Sequence, residues 1–183
     1  MTKKVDLNSY NNTWFKPGNK LKIVAWYLLN ELVLKNTLFP FSKLKVIVLR
    51  FFGAKIGQGV TIKPGVNIKY PWFLEIGNYC WIGEGVWIDN LDHVFIGNHV
   101  CISQDAMLLC GNHNFKTPTF DLIIKPIILE DGSWVGAKSI VCPGVTLKTH
   151  SILTVGSVAN KDLDAYSIYK GNPALKIKLR KIE

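Results

Sequence analysis

The sequence predicts a three-sided parallel β-helix, and three observations predict it. Aliphatic residues recur in steps of six at Ile56, Ile62 and Ile68, then Ile76, Ile82 and Ile88, then Ile96, Ile102 and Leu108. The series resumes at Leu129, Val135, Val141, Leu147 and Leu153. Four places after these anchors stands a small or β-branched residue, as at Val66, Cys80, Ala106, Ser139 and Ser157. Of the 15 glycines, 13 fall within residues 51–160, where the corners of such a coil would lie. A period of six fits neither a 3.6-residue helix nor continuous two-residue alternation; it fits a short strand plus a corner. Three such units close a coil, and stacked coils about 4.8 Å apart bring like aliphatics into ladders. The anchors predict five coils over residues 53–160. The early triplets are spaced by eight rather than six, so two extra residues bulge at one corner, near Tyr70-Pro71 and Asn90-Leu91.

Composition sets the bounds. The chain has 183 residues, 48% hydrophobic and 19% charged, an ordinary globular balance of about one domain. Cys80, Cys101, Cys110 and Cys142 are scattered, with no C-x-x-C pair, against both a zinc ribbon and a disulfide scaffold. The opening MTKKVDLNSYNN does not read as a signal peptide, and no apolar run reaches the ~18 residues of a spanning helix. A cytoplasmic protein is expected. The net charge of +9 sits at the ends: residues 1–50 carry nine Lys/Arg against two acids, whereas residues 51–160 carry seven against eight. A nucleic-acid binder would carry its positive field on the folded body, so that class is disfavoured.

Residues 1–52 are expected to form a lead and a cap. Residues 1–19 read as extended and poorly ordered. Residues 20–36 read as a helix with Ile23, Trp26, Tyr27, Asn30 and Leu34 on a broad apolar face, stopped by Pro40. A second helix runs from Ser42, its expected N-cap, to Phe52. These helices would bury the open edge of the first coil. Being amphipathic and basic, residues 20–52 also suit a membrane surface. Residues 161–183 form a basic tail: a loop over 162–174 with Gly171-Asn172-Pro173, then a short strand or helix.

The repeat breaks between Leu108 and Leu129, and an interrupted solenoid places a loop there, at 109–128. The loop opens with Gly111-Asn112-His113-Asn114. His113, held at the mouth of the loop, is a candidate general base, since imidazole works near neutral pH. Alone, a single loop histidine is weak support. His99 and His150 follow anchors by three and read as outward-facing, solvated side chains, and His93 as structural.

From about residue 38 onward the chain resembles the hexapeptide-repeat O-acetyltransferases of exopolysaccharide assembly, above all the colanic acid biosynthesis acetyltransferase family. The resemblance rests on RFFGAKIG (50–57), YPWFLEIGNYCWIGEGVWI (70–88), VFIGNHVCIS (94–103), CGNHNFKTPTFDLIIKPIILEDGSWVGA (110–137), PGVTL (143–147) and KGNPALKIK (170–178). Galactoside, maltose and serine acetyltransferases are more distantly similar. The resemblance implies a left-handed coil, a homotrimer, acetyl-CoA as co-substrate, no metal, and His113 as catalytic base. It implies the Ala137 backbone N–H as oxyanion donor, and Ala137, Val155 and Gly156 along the pantetheine. Asn160, Lys161 and Lys178 fall at the CoA phosphates. On the acceptor side it points to Asn90 and Asp92, which read equally well as turn residues. A direct transfer needs no thiol nucleophile, and Cys110 reads as a buried apolar residue. The chain departs from the family where Asn112-His113-Asn114 replaces Ser-His-Asp, removing the acidic neighbour of the base. It departs again where Leu175 replaces a cation, for which Lys176 and Lys178 could compensate.

Three other functions are open to a β-helix of this kind. An N-acetyltransferase acting on an amino sugar would use the same base and donor. A non-catalytic β-helix would serve as an interaction module. A zinc carbonic anhydrase on this fold needs a G-H-x-x-x-x-H spacing that the chain lacks. No nucleic-acid partner is expected; the expected partners are acetyl-CoA and a free, nucleotide-linked or lipid-linked sugar.

Overall fold

The structure, a computed structural model, describes residues 3–183. Two helices lead into it, α1 (Lys20–Leu29) and α2 (Ser42–Phe51), with α1 continuing as a π turn over Asn30–Leu34. The first coil is β1 (Lys55–Ile56), β2 (Thr61–Ile62) and β3 (Asn67–Ile68), and the second β4 (Leu74–Ile76), β5 (Trp81–Ile82) and β6 (Trp87–Asp89). The third is β7 (Val94–Ile96), β8 (Cys101–Ile102) and β9 (Met107–Leu109). An arm, β10 (Gly111–His113) with β11 (Leu122–Ile124), then leaves the column. The fourth coil is β12 (Ile127–Leu129), β13 (Trp134–Val135) and β14 (Ile140–Val141); the fifth is β15 (Thr146–Leu147), β16 (Ile152–Leu153) and β17 (Val158–Ala159). Then come β18 (Ser167–Lys170) and β19 (Leu175–Leu179).

The six-residue period does what its spacing demands. Each strand pairs in parallel with its equivalent one coil away, giving a first face β1-β4-β7-β12-β15 and a third face β3-β6-β9-β14-β17. Along the first face Ile56 lies beside Ile76, Ile76 beside Ile96, Ile96 beside Leu129 and Leu129 beside Leu147. All fourteen anchors are buried, so the column interior is a set of aliphatic ladders. Full burial stabilises each by roughly 1.5–3 kcal/mol. Because β12 pairs directly with β7, the arm is looped out without disturbing the stack.

Glycine after the anchor has a steric cause. A Cβ on Gly77 would meet the Gly97 carbonyl carbon at 2.7 Å, so only glycine lets the coils approach there. The following Asn/Asp bonds the next coil: Gln58 N–H donates to Asn78 Oδ1, Asn78 N–H to Asn98 Oδ1, and Asn98 N–H to Asp131 Oδ1.

The cap satisfies the first coil's open edge face by face, the task expected of it. Arg50 donates to the Ile56 carbonyl on the first face. On the second, Ser42 Oγ accepts the Ile62 N–H and Lys45 Nζ donates to the Lys63 carbonyl, each at 2.8 Å. On the third, Trp26 Nε1 donates to the Ile68 carbonyl at 2.9 Å, and Asn30 bonds Asn67. Two details of the sequence reading are corrected. Ser42 is not the N-cap, a position held by Phe41 with no side-chain cap; its hydroxyl serves the sheet edge instead. Tyr27 is not on the buried face, which carries Trp26, Asn30 and Leu34.

Both ends differ from expectation. Residues 3–19 do not trail away: Asp6 N–H donates to the Pro118 carbonyl, and Trp72 Nε1 donates to the Pro17 carbonyl. Residues 1–2 lie outside the described residues. Residues 162–174 are not a loop but a partial sixth turn. Leu163 bridges Leu147 in parallel, β18 pairs with β16, and Val158 is bracketed by the Gly171 carbonyl and the Ala174 N–H. The tail, expected as a short strand or helix, forms the antiparallel strand β19, which covers β18. No helix among the described residues is long and apolar enough to cross a membrane.

Candidate active site

The insertion forms at the corner between the third and first faces. The chain takes that corner differently in each coil: a 3-10 turn at Pro71–Phe73, a bend at 91–92, then the arm. The loop expected at 109–128 carries a β-hairpin arm, because β10 and β11 pair antiparallel, with His113 opposite Leu122. At the tip, the Asp121 carboxylate accepts from the Thr117 and Thr119 hydroxyls at 3.2 and 2.8 Å.

His113 is half-buried on this arm. Its Nδ1 lies 2.9 Å from the Phe120 carbonyl oxygen, and its ring stacks on the Phe120 ring at 4.5 Å and 8°. A carbonyl oxygen only accepts, so Nδ1 carries the proton, and in the neutral ring the lone pair is on Nε2. The acidic neighbour absent from the sequence is thus replaced by a backbone carbonyl. Asn112 and Asn114 do not take that role: their Oδ1 atoms accept the His113 and Lys116 N–H groups. Phe120 reaches His113 through a left-handed backbone, φ 51°.

The lead supplies a residue that sequence reasoning missed. Tyr10 places its ring 5.7 Å from that of His113, tilted by 57°, and Phe15 lies 6.5 Å from Tyr70 at the same corner. No local signal marks Tyr10, since its contact spans about a hundred residues of chain. Asn90 is fully buried, and both ends of its amide are spent on the Tyr70 backbone, at 3.0 and 2.6 Å. That is the turn role. Asp92, half-buried, accepts the His93 N–H.

Ala137, Val155 and Gly156 lie on another corner. Ala137 turns the chain from the second to the third face on the fourth coil, and Val155-Gly156 turn it at the same corner one coil later. Gly156 N–H donates to the Ala137 carbonyl, and no acceptor among the described residues takes the Ala137 N–H. Val155 is exposed, and a Cβ on Gly156 would meet open space. Asn160 and Lys161 are exposed at the arm's own corner, between the third and first faces, just before the sixth turn, and Lys178 is exposed on β19. Lys176 is held by Asp164 at 3.2 Å, leaving Lys178 as the cation of that pair without an acid beside it. Within one chain, therefore, His113 and the Ala137 N–H stand on different corners.

Cys110 is fully buried, and burial pushes its thiol up to about 12, which fits the apolar role. His99 is exposed as expected but stacks on Tyr79; His150 stacks on Tyr166 at 4.8 Å and is half-buried rather than solvated. No cluster of three His, Cys, Asp or Glu among the described residues is arranged to hold a metal.

The chain matches no family model. Over 166 residues, 91% of each chain, it is 34% identical to an Escherichia coli K12 protein named colanic acid biosynthesis acetyltransferase WcaF. It is 25% identical over 123 residues to galactoside O-acetyltransferase of the same organism, covering 66% of this chain and 61% of that one. Its backbone matches the crystal structure of a hexapeptide-repeat acetyltransferase, VCA0836 of Vibrio cholerae, with TM-score 0.81 at 20% identity, covering 96% of this chain and 98% of that one. The same Vibrio protein complexed with acetyl coenzyme A matches with TM-score 0.77, at 20% identity, over 89% and 87% of the two chains.

The column with its looped-out arm is thus the hexapeptide-repeat acetyltransferase fold. Within that class, the chain belongs to the colanic acid biosynthesis acetyltransferase family.

Proposed function

We propose that the protein transfers the acetyl group of acetyl-CoA to a hydroxyl of a sugar in cell-surface or exopolysaccharide assembly, in a ternary complex with His113 as general base. The observation that carries this reading is the Nδ1–Phe120 carbonyl contact, which assigns the proton of the neutral ring to Nδ1 and leaves Nε2 as the nitrogen able to accept one. The sugar oxygen attacks the thioester carbon while Nε2 takes its proton. The tetrahedral intermediate collapses, the C–S bond breaks, and the imidazolium returns the proton to the CoA sulfur. The unengaged Ala137 N–H serves the developing oxyanion and, being a backbone group, requires no particular side chain.

Base and donor come from neighbouring copies in a homotrimer. The separation of His113 and Ala137 onto different corners supports this reading. So does the outward column of the second face, where Trp81, Cys101, Trp134, Ile152 and Ile168 form an apolar strip. Pantetheine runs past Ala137, Val155 and Gly156, and the CoA phosphates meet Asn160, Lys161 and Lys178, whose charge suits them.

The test is acetyl-CoA consumption against a panel of galactosides, nucleotide sugars and lipid-linked sugars, with the acetylated position read by NMR. An ester on a sugar oxygen supports the reading. Transfer only to an amino group, or none to any sugar at millimolar acetyl-CoA, contradicts it.

A further inference from the structure

The cap helices are apolar on two opposite sides. Trp26, Asn30 and Leu34 face the column, and Leu21, Val24, Leu28 and Leu32 recur at three- and four-residue spacing on the far side. Leu21 is 81% exposed, Leu28 62% and Leu32 65%, so this stripe serves no contact within the chain. On α2, Val46 and Leu49 are buried while Leu44, Ile47 and Phe51 form a second exposed stripe at the same spacing. Leu38 and Phe41, between the helices, are 89% and 59% exposed. Capping the first coil explains the inner sides alone.

Charge identifies the occupant. Residues 20–52 hold six Lys/Arg and a single acid, Glu31, which is paired with Lys35. Lys45 and Arg50 are spent on the first coil's carbonyls and Lys22 lies over the Trp72 ring, whereas Lys20 and Lys43 are exposed on the cap with no acid beside them among the described residues. The stripes lie on the outer, solvent side of the helices and are mostly aliphatic, whereas protein hot spots favour Trp, Tyr and Arg seated in pockets. Aliphatic stripes bordered by cations match a bilayer interface, with side chains entering the acyl boundary and cations meeting anionic headgroups.

We propose that the outer side of the cap, residues 20–52, binds the surface of an anionic lipid bilayer, with the column standing away from the membrane. The full chain is sedimented with phosphatidylcholine vesicles containing phosphatidylglycerol, and with phosphatidylcholine alone, at low and high salt. Binding is expected to anionic vesicles, weakened ~10-fold or more by salt, as headgroup attraction is screened. The combined substitution Leu28→Ser, Leu32→Ser and Ile47→Ser is expected to weaken it at least ~10-fold, with the thermal midpoint and oligomeric mass unchanged. A Leu28→Trp reporter keeps the stripe apolar, and its emission is expected to shift to the blue on vesicle addition and to be quenched by brominated lipid. No binding of the unaltered chain to anionic vesicles would overturn the proposal. So would a triple variant that changes oligomeric mass without changing vesicle binding, since the stripe would then be covered by another copy of the chain.

Discussion

Replacing His113 by alanine separates chemistry from architecture. The ring makes one neutral hydrogen bond, to the Phe120 carbonyl, one stacked contact, with the Phe120 ring, and one tilted contact, with the Tyr10 ring. Their loss costs about 1 kcal/mol for the bond and about 0.5–1.5 kcal/mol for each ring pair. At ~2–4 °C per kcal/mol for a chain of this size, the midpoint falls by less than ~16 °C. The column is insulated further, because β12 bonds β7 with the arm looped out. Removing a positioned base costs about two to four decades in rate, or roughly 2.7–5.4 kcal/mol of transition-state stabilisation. The assay is CoA thiol release, resolved into kcat and the KM for acetyl-CoA. His113→Ala is expected to lower kcat by ~10²–10⁴ while that KM stays within ~3-fold. Phe120→Ala removes the stack but keeps the carbonyl, and kcat is expected to fall less than ~10-fold. A His113→Ala enzyme with unchanged kcat, or with the whole loss in KM, would refute the assignment.

Lys161→Glu is expected to raise the KM for acetyl-CoA about tenfold with kcat little changed, measured by the same assay; a loss in kcat alone would remove Lys161 from the phosphate site. Trp26→Ala is expected to cost about 3–5 kcal/mol in urea unfolding, since it empties a fully buried site and orphans the Ile68 carbonyl. Asn98, through its backbone and side-chain N–H groups, and then His99 and His150, hold the Asp131 carboxyl below its ordinary value of 3.8. That depression stabilises the fold above the unfolded value and is lost as pH falls through the folded one. Asp131→Asn is therefore expected to be the less stable protein at neutral pH, with the difference shrinking below about pH 4 in pH-resolved thermal melts.

The column was legible because its ladders need one residue type at a fixed step, and every anchor from Ile56 to Leu153 is buried. The sixth turn was not, because Leu163 follows Ala159 by four residues instead of six, and the rung closes through backbone groups of Gly171 and Ala174. Backbone acceptors leave no residue-type signal, which is why the partner of His113 could not be read from Asn112-His113-Asn114. Tyr10 escaped for a different reason: the polar lead carries no periodicity, and its place is set by distant contacts with Trp72 and Pro118. The cap helices show one broad apolar face in the sequence, suited to covering a coil or meeting a membrane. Their second stripe shows only once the first is seen to be buried.

The most direct measurement of the central claim mixes two inactive chains. Subunits carrying His113→Ala keep the groove, and subunits carrying Gly156→Trp, which fills the open space at that turn, keep the base. Co-expressed, with hybrid trimers verified by native mass spectrometry, they are predicted to recover acetyl transfer at crevices joining an intact arm to an intact groove. Verified hybrids that remain as inactive as either parent would contradict a site shared between neighbouring copies.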